Sequence, residues 1–297
     1  MNALIVVWRE SLEAMLVIGV LLAWIARQPA PQPLRRSLWG GVAAGIALAA
    51  LLGAATFLVQ SQLQGEALEI FQIAMVLFVA VLIVQMVLWM RRHGRAMRQE
   101  LEQQATRAAG GLGLAIVAAL AVAREGAETV VFLYGIGFEA GGGRLMSVAG
   151  AIAGFVLAAA TAWLVARGAR FLSYRVVFRV SEILLLLIAA SLLANGIDRM
   201  IAMDWLSPML DPVWDTSALL DDRVGIGRVA ADFLGYRARP SATLLVAYAL
   251  FWIAVFVGWR RSAGPIAPAP RSGQAGQPGQ PEQPAKGSGA EARGASR

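Results

Sequence analysis

Seven apolar runs, at about 3–25, 38–60, 70–90, 112–135, 147–166, 180–197 and 242–259, take up most of the first 260 or so residues. Each is close to the roughly 20 residues that an α-helix needs to cross a hydrocarbon slab. No water is available there to satisfy an open N–H or C=O, so a spanning segment must pair its backbone internally, as a helix does. The expectation is an all-α integral membrane protein with seven transmembrane helices. Charged residues make up only 15% of the chain and hydrophobic ones 58%, with a mean hydropathy of +0.62. A soluble globular domain carries roughly 25% charged residues. The formal charge of +7 comes from arginines between the runs and gives no argument for a nucleic-acid partner.

Those arginines orient the chain. Arg27, Arg35 and Arg36 fall in the first connection, Arg91, Arg92, Arg95, Arg98 and Arg107 in the third, and Arg167, Arg170, Arg175 and Arg179 in the fifth. The second connection has no basic residue and the fourth only Arg144. Basic residues are retained on the cytoplasmic side. The N-terminus is therefore expected outside and the C-terminus inside, where Arg260 and Arg261 follow the last run. The chain divides into a membrane domain over 1–261 and a Gly-, Pro- and Gln-rich tail over 262–297. Such a tail buries too little apolar surface to order itself and is expected to be disordered in the cytoplasm.

The long sixth connection, about 198–241, is expected outside and holds seven aspartates, joined on that side by Glu66, Glu69 and Glu139. Two readings stand: an ordinary solvated loop, or a funnel that concentrates cations. Arginines in the same loop weaken the funnel. A short amphipathic helix is expected over 224–233.

Two of the apolar runs contain charge where hydrocarbon should be. Arg9, Glu10 and Glu13 lie in "VVWRESLEAML", and the pattern returns as Arg124, Glu125 and Glu128 in "AREGAETVVFLYG". At about 100° per residue, positions i, i+1 and i+4 share one arc of roughly 100°. Each triad therefore lies on one helix face and close to mid-membrane. A charge there costs about 2.5–3.5 kcal/mol, so six give roughly 15–21 kcal/mol before pairing. Intrahelical Arg–Glu pairs at i,i+4 would leave Glu10 and Glu125 without partners. Four converging carboxylates against two guanidinium groups describe instead a site for a hard or borderline multivalent cation. The chain has no cysteine and one histidine, His93, so thiolate and iron–sulfur ligation are excluded.

Each triad opens a block of three runs, about 1–90 and 112–197. Three is odd, so the second block must cross the membrane upside down, as in transporters built from inverted repeats. The expected architecture is a 3+3 inverted repeat plus one C-terminal helix.

The doubled R-E-x-x-E motif on the first and fourth runs resembles the oxidase-dependent iron transporter family. That family spans fungal high-affinity iron permeases and bacterial EfeU-type ferrous iron permeases. Also similar are "LWMRRHGRAMRQELEQQ" at 88–104, "WDTS" at 214–217 and "FLGYRARPS" at 233–241. The resemblance implies an iron permease, not an enzyme, importing Fe2+ or Fe3+ as substrate with no permanently bound cofactor. It implies Glu10, Glu13, Glu125 and Glu128 as metal ligands and Arg9 and Arg124 as charge-balancing partners. It also implies an inner-membrane location in a bacterium, and an external iron-oxidising or iron-delivering protein as partner besides membrane lipid; a homo-oligomer stays open. Transport of manganese, zinc or lead by the same site and a structural subunit of a membrane complex are the alternatives. Accessory candidates are Glu69 outside, Glu182 near the inner end of the sixth run, and Asp215 in the external loop. Bacterial relatives commonly carry a glutamate where this chain has Gln72, after Phe71.

Overall fold

The computed structural model describes residues 2–93, 97–108, 110–139, 144–167 and 174–262. Arg95, Arg170 and the tail from 263 onward lie outside the described residues, as do the side chains of Glu139 and Arg144. Among the described residues the regular structure is entirely helical: α1 (Asn2–Ile25), α2 (Pro31–Gln62), α3 (Glu66–His93), α4 (Met97–Arg107), α5 (Gly111–Glu139), α6 (Arg144–Ala166), α7 (Tyr174–Ala202), α8 (Gly225–Leu234) and α9 (Ala242–Ser262). Each apolar run lies within one long helix. Five of these, α2, α3, α6, α7 and α9, are long and apolar enough to cross a membrane. The remaining long helices, α1 and α5, are the two that carry the charged triads.

The helices outrun the apolar runs that announce them. Helix α2 begins at Pro31, where a missing N–H costs nothing, and α7 spans 29 residues although its apolar run covers only about 180–197. Apolar length reports the hydrocarbon thickness, whereas a helix stops where its backbone loses intrahelical partners. Helix α4, in the arginine-rich third connection, went unforeseen. Its Leu101 and Ala105, four residues apart on one face, are buried against Val17, Leu21 and Ile25 of α1 and Leu114 of α5.

A central core joins α1, α3, α5, α7 and α9 around Val6, Ile83, Phe132, Leu185, Ile188 and Val255. The outward faces of α2, α6 and α9 are a belt of exposed apolar side chains, among them Leu51, Phe57, Ile152, Phe155, Leu250 and Phe256. Because lipid is as apolar as leucine, helices in a membrane associate through close packing rather than hydrophobic expulsion. Small residues provide it here. A Cβ on Gly41 would strike the Ala115 carbonyl oxygen of α5, and one on Gly45 would lie 2.7 Å from the Ala119 oxygen. On α6, a Cβ on Gly154 would meet the Leu4 carbonyl of α1. Gly41/Gly45 and Gly150/Gly154 are both small-x-x-x-small pairs, a similarity between the two blocks that the charged motif overshadows.

The connection between α7 and α9 is a built platform. Thr216 N–H donates to the Ala238 carbonyl (2.9 Å) and Val213 N–H to that of Pro240 (2.9 Å), pairing the loop's two arms. The amphipathic helix expected over 224–233 is α8. Its C-terminal carbonyls, which lack intrahelical donors, are taken by three other helices. Asn2 Nδ2 (3.0 Å) and Ser191 Oγ (2.7 Å) both donate to the Asp232 carbonyl, and the Tyr248 hydroxyl donates to Leu234 (2.6 Å). Gly235 follows at φ 66°, a left-handed cap that favours glycine.

Candidate metal centre between two helices

Glu13 lies eleven residues into α1, about 17 Å along the axis, and Glu125 fourteen residues into α5, about 21 Å. Helices α1 and α5 pack together, and the core closes over them. Arg9, Glu10, Glu13 and Glu125 are all buried, with Arg9 0% and Glu10 1% exposed. Unpaired charge in such a place is very costly, and the geometry answers part of that cost. The Arg9 guanidinium lies 3.0 Å from Glu10 Oε1 through Nη1 and 2.7 Å from Glu13 Oε1 through Nη2. One arginine thus bridges both carboxylates of its own motif, where a simple i,i+4 pair would hold only one.

The second motif is arranged differently. Arg124 Nε is 3.1 Å from Glu128 Oε1 but 4.0 Å from Glu125 Oε1. Its side chain is half exposed, with the guanidinium 4.9 Å from the centre of the Trp89 ring. Glu125 instead turns toward the first motif. Glu10, Glu13 and Glu125 each offer a carboxylate oxygen within 4.8 Å of the others. Glu128 is outside that trio, held by Arg124. Glu10 Oε2 and Glu125 Oε2 are buried and have no hydrogen-bond partner. Buried polar atoms are rarely left so, and carboxylate oxygens with open lone pairs are the groups that a cation fills.

Two methionines also reach this cluster; from sequence, packing is favoured over a path-lining role for Met86, and Met90 is not singled out. Met86 and Met90, one helical turn apart on α3, bring their sulfur atoms onto the Arg9 terminal nitrogens. Methionine on an apolar helix gives no periodic signal that separates a packing role from contact with a charge, so the sequence could not single them out.

The accessory candidates have other partners. Glu182 Oε2 is 2.7 Å from Arg91 Nη2, and that guanidinium stacks 3.4 Å above the Trp259 ring centre. Glu69 lies 3.8 Å from Arg199, whose Nη1 also donates to Gln72 Oε1 at 2.7 Å. Gln72 thus uses its amide oxygen to tie α3 to α7. Asp215 accepts from the backbone N–H (3.0 Å) and hydroxyl (2.6 Å) of Ser217 and lies 2.9 Å from Arg239. Those contacts, the Ser217 hydrogen bonds foremost, hold its carboxyl down at about 2. Asp198 pairs with Arg237 at 2.6 Å, and Asp222 Oδ2 accepts the Ala238 N–H at 3.2 Å. Asp198, Asp215 and Asp222 therefore each hold a structural partner in the stretch from 195 to 239.

Comparison with known proteins agrees with this picture. The chain matches the iron permease FTR1 family over residues 1–263. It is 27% identical over 278 residues to the ferrous iron permease EfeU of Escherichia coli O6:H1, covering 90% of this chain and 98% of that one. The EfeU of Yersinia pestis is 27% identical over 281 residues, covering 90% and 97%. An uncharacterized protein of Archaeoglobus fulgidus is 32% identical over 247 residues, covering 80% and 86%. No solved structure matches. A membrane protein with several spans and a cluster of buried carboxylates in its helices, matched nearly end to end by iron permeases, the chain belongs to the iron permease FTR1 family.

Proposed function

We propose that this protein imports iron across a bacterial cytoplasmic membrane, with Glu10, Glu13 and Glu125 as the central ligands. Glu128 and Arg124 form the adjoining pair, and Arg9 fixes the first two carboxylates. The observation that carries this reading is the convergence of three buried carboxylates from two helices, with Glu10 Oε2 and Glu125 Oε2 unpartnered. Counting the two triads as ionised, four carboxylates against two guanidinium groups leave two negative charges, which a divalent cation balances. The relatives named ferrous iron permeases agree with that charge.

The same reading takes all seven long helices as spans, N-terminus outside, in two inverted blocks of three. Helices α1 and α5 are otherwise as apolar as the other five and differ from them in the three charged residues that each carries mid-helix. Neighbour relations support the inversion. Helix α2 packs along α5 as α6 packs along α1, in each case through a small-x-x-x-small pair, and α1 meets α5 as α3 meets α7. The folded outer platform, with Leu219, Ile226 and Met209 turned outward, offers an external iron-delivering protein a surface to dock on.

Purified protein in liposomes tests this. Glu13→Gln should abolish Fe2+ uptake while leaving inserted protein at the wild-type level; uptake that persists would sink the assignment. Competition by Mn2+, Zn2+ and Pb2+ in the same vesicles separates iron from other metals. A purely structural role for the triads predicts lost assembly in place of lost flux.

A further inference from the structure

The Arg9 guanidinium is a cation in a nest of Lewis bases. Its terminal nitrogens touch Glu10 Oε1, Glu13 Oε1 and the sulfurs of Met86 and Met90. Two carboxylates already balance it. A thioether is a weak hydrogen-bond acceptor, and a methionine that merely filled space could meet the arginine with its methylenes or methyl. Here it is the sulfur atoms that face the charge, both on one side of α3 at i and i+4. The seat does not suit the guanidinium completely, since Arg9 Nε is buried with no partner.

We propose that Met86 and Met90 are thioether ligands of the ion site, and that the Arg9 guanidinium holds the ion's place until it arrives. This rests on the carboxylate reading above and adds a chemical class to it. Two carboxylates, two thioethers and the neighbouring Glu125 make a mixed oxygen and sulfur set. Soft donors favour borderline and soft cations such as Fe2+ over hard ones such as Mg2+, Mn2+ or Fe3+. An arginine cannot shed its charge to make room, so the incoming ion must displace it along its flexible stem. A tethered competitor of this kind weakens resting affinity and helps to expel the ion once bound.

The chain has no cysteine, so any sulfur bound to iron must come from methionine. The test is X-ray absorption of the full-length protein in lipid nanodiscs, loaded anaerobically with Fe2+. Wild type should show a sulfur shell around iron. The Met86→Leu/Met90→Leu variant, which keeps volume and therefore folds, should lack it, and its preference for Fe2+ over Mn2+ should fall about tenfold. Arg9→Gln should bind Fe2+ more tightly and release it more slowly than wild type. An oxygen-only shell in wild type, or a sulfur shell surviving in the double variant, overturns the thioether assignment while leaving iron import intact. Weaker binding by folded Arg9→Gln overturns the placeholder role. A wild type that binds no Fe2+ sinks this inference together with the iron reading.

Discussion

Arg9 and Arg124 occupy the same place in the same motif yet live in different surroundings. Arg9 is sealed under α3, whereas Arg124 is half exposed beside Trp89. Spacing alone predicts each triad on one face, and that holds. It does not predict that Glu125 leaves its own arginine for the other motif, because that depends on which helix packs opposite. Asp215 shows the reverse case, a carboxylate whose local partners explain it fully. Its depressed value near 2 means the charged form is favoured by the folded loop. That contribution is present above the ordinary 3.8 and lost as the pH falls through about 2. Hydrogen-exchange protection of the Ser217 amide should accordingly hold from neutral pH past 3.8 and collapse only on approach to about 2. Protection lost well above 3.8 would show that Asp215 does not hold this turn.

At the scale of helices, packing is decided by what is missing. Gly45→Leu should force α2 away from α5, where even a Cβ lies 2.7 Å from the Ala119 oxygen. Overpacking of this kind typically costs 1–3 kcal/mol, so the variant should elute in detergent as less folded protein with a lowered melting temperature. Gly40→Leu, with nothing within 4 Å of its Cβ, should behave as wild type. Equal behaviour of the two variants would remove the glycine pair from the interface. The existence of each long helix was legible because twenty apolar residues leave a chain few alternatives in lipid. The ends were not, since 174–179 and 31–37 continue a helix with arginines that interrupt the apolar pattern. Nor were the neighbours, because a side chain facing lipid and one facing another helix can both be leucine. The glycine pairs were the readable clue to that choice. Helix α4 hid for a further reason: its polar composition resembles a loop, and only Leu101 and Ala105 hint at a buried face.

For the whole molecule, the arginine asymmetry makes a prediction about sidedness. The cysteine-free chain suits it, because any introduced thiol is unique. A cysteine at Leu219, 89% exposed on the outer platform, should react with an impermeant maleimide in intact spheroplasts. One at Gln103 in α4 should react only after the membrane is opened. Labelling of both from outside would overturn the orientation, and with it the inversion of the two blocks. In the proposed inverted arrangement the two copies of the motif would meet only near mid-depth, because equivalent positions move to opposite sides of the membrane away from it.

The Asp232 carbonyl near the end of α8 is gripped at once by Asn2 of α1 and Ser191 of α7. Each donor belongs to a different block of three helices, so a single oxygen of α8 ties a helix of each block to the connection that follows α7. Loosening of α8 would therefore release α1 and α7 together, which couples the order of this connection to the seating of the helix that carries Arg9, Glu10 and Glu13.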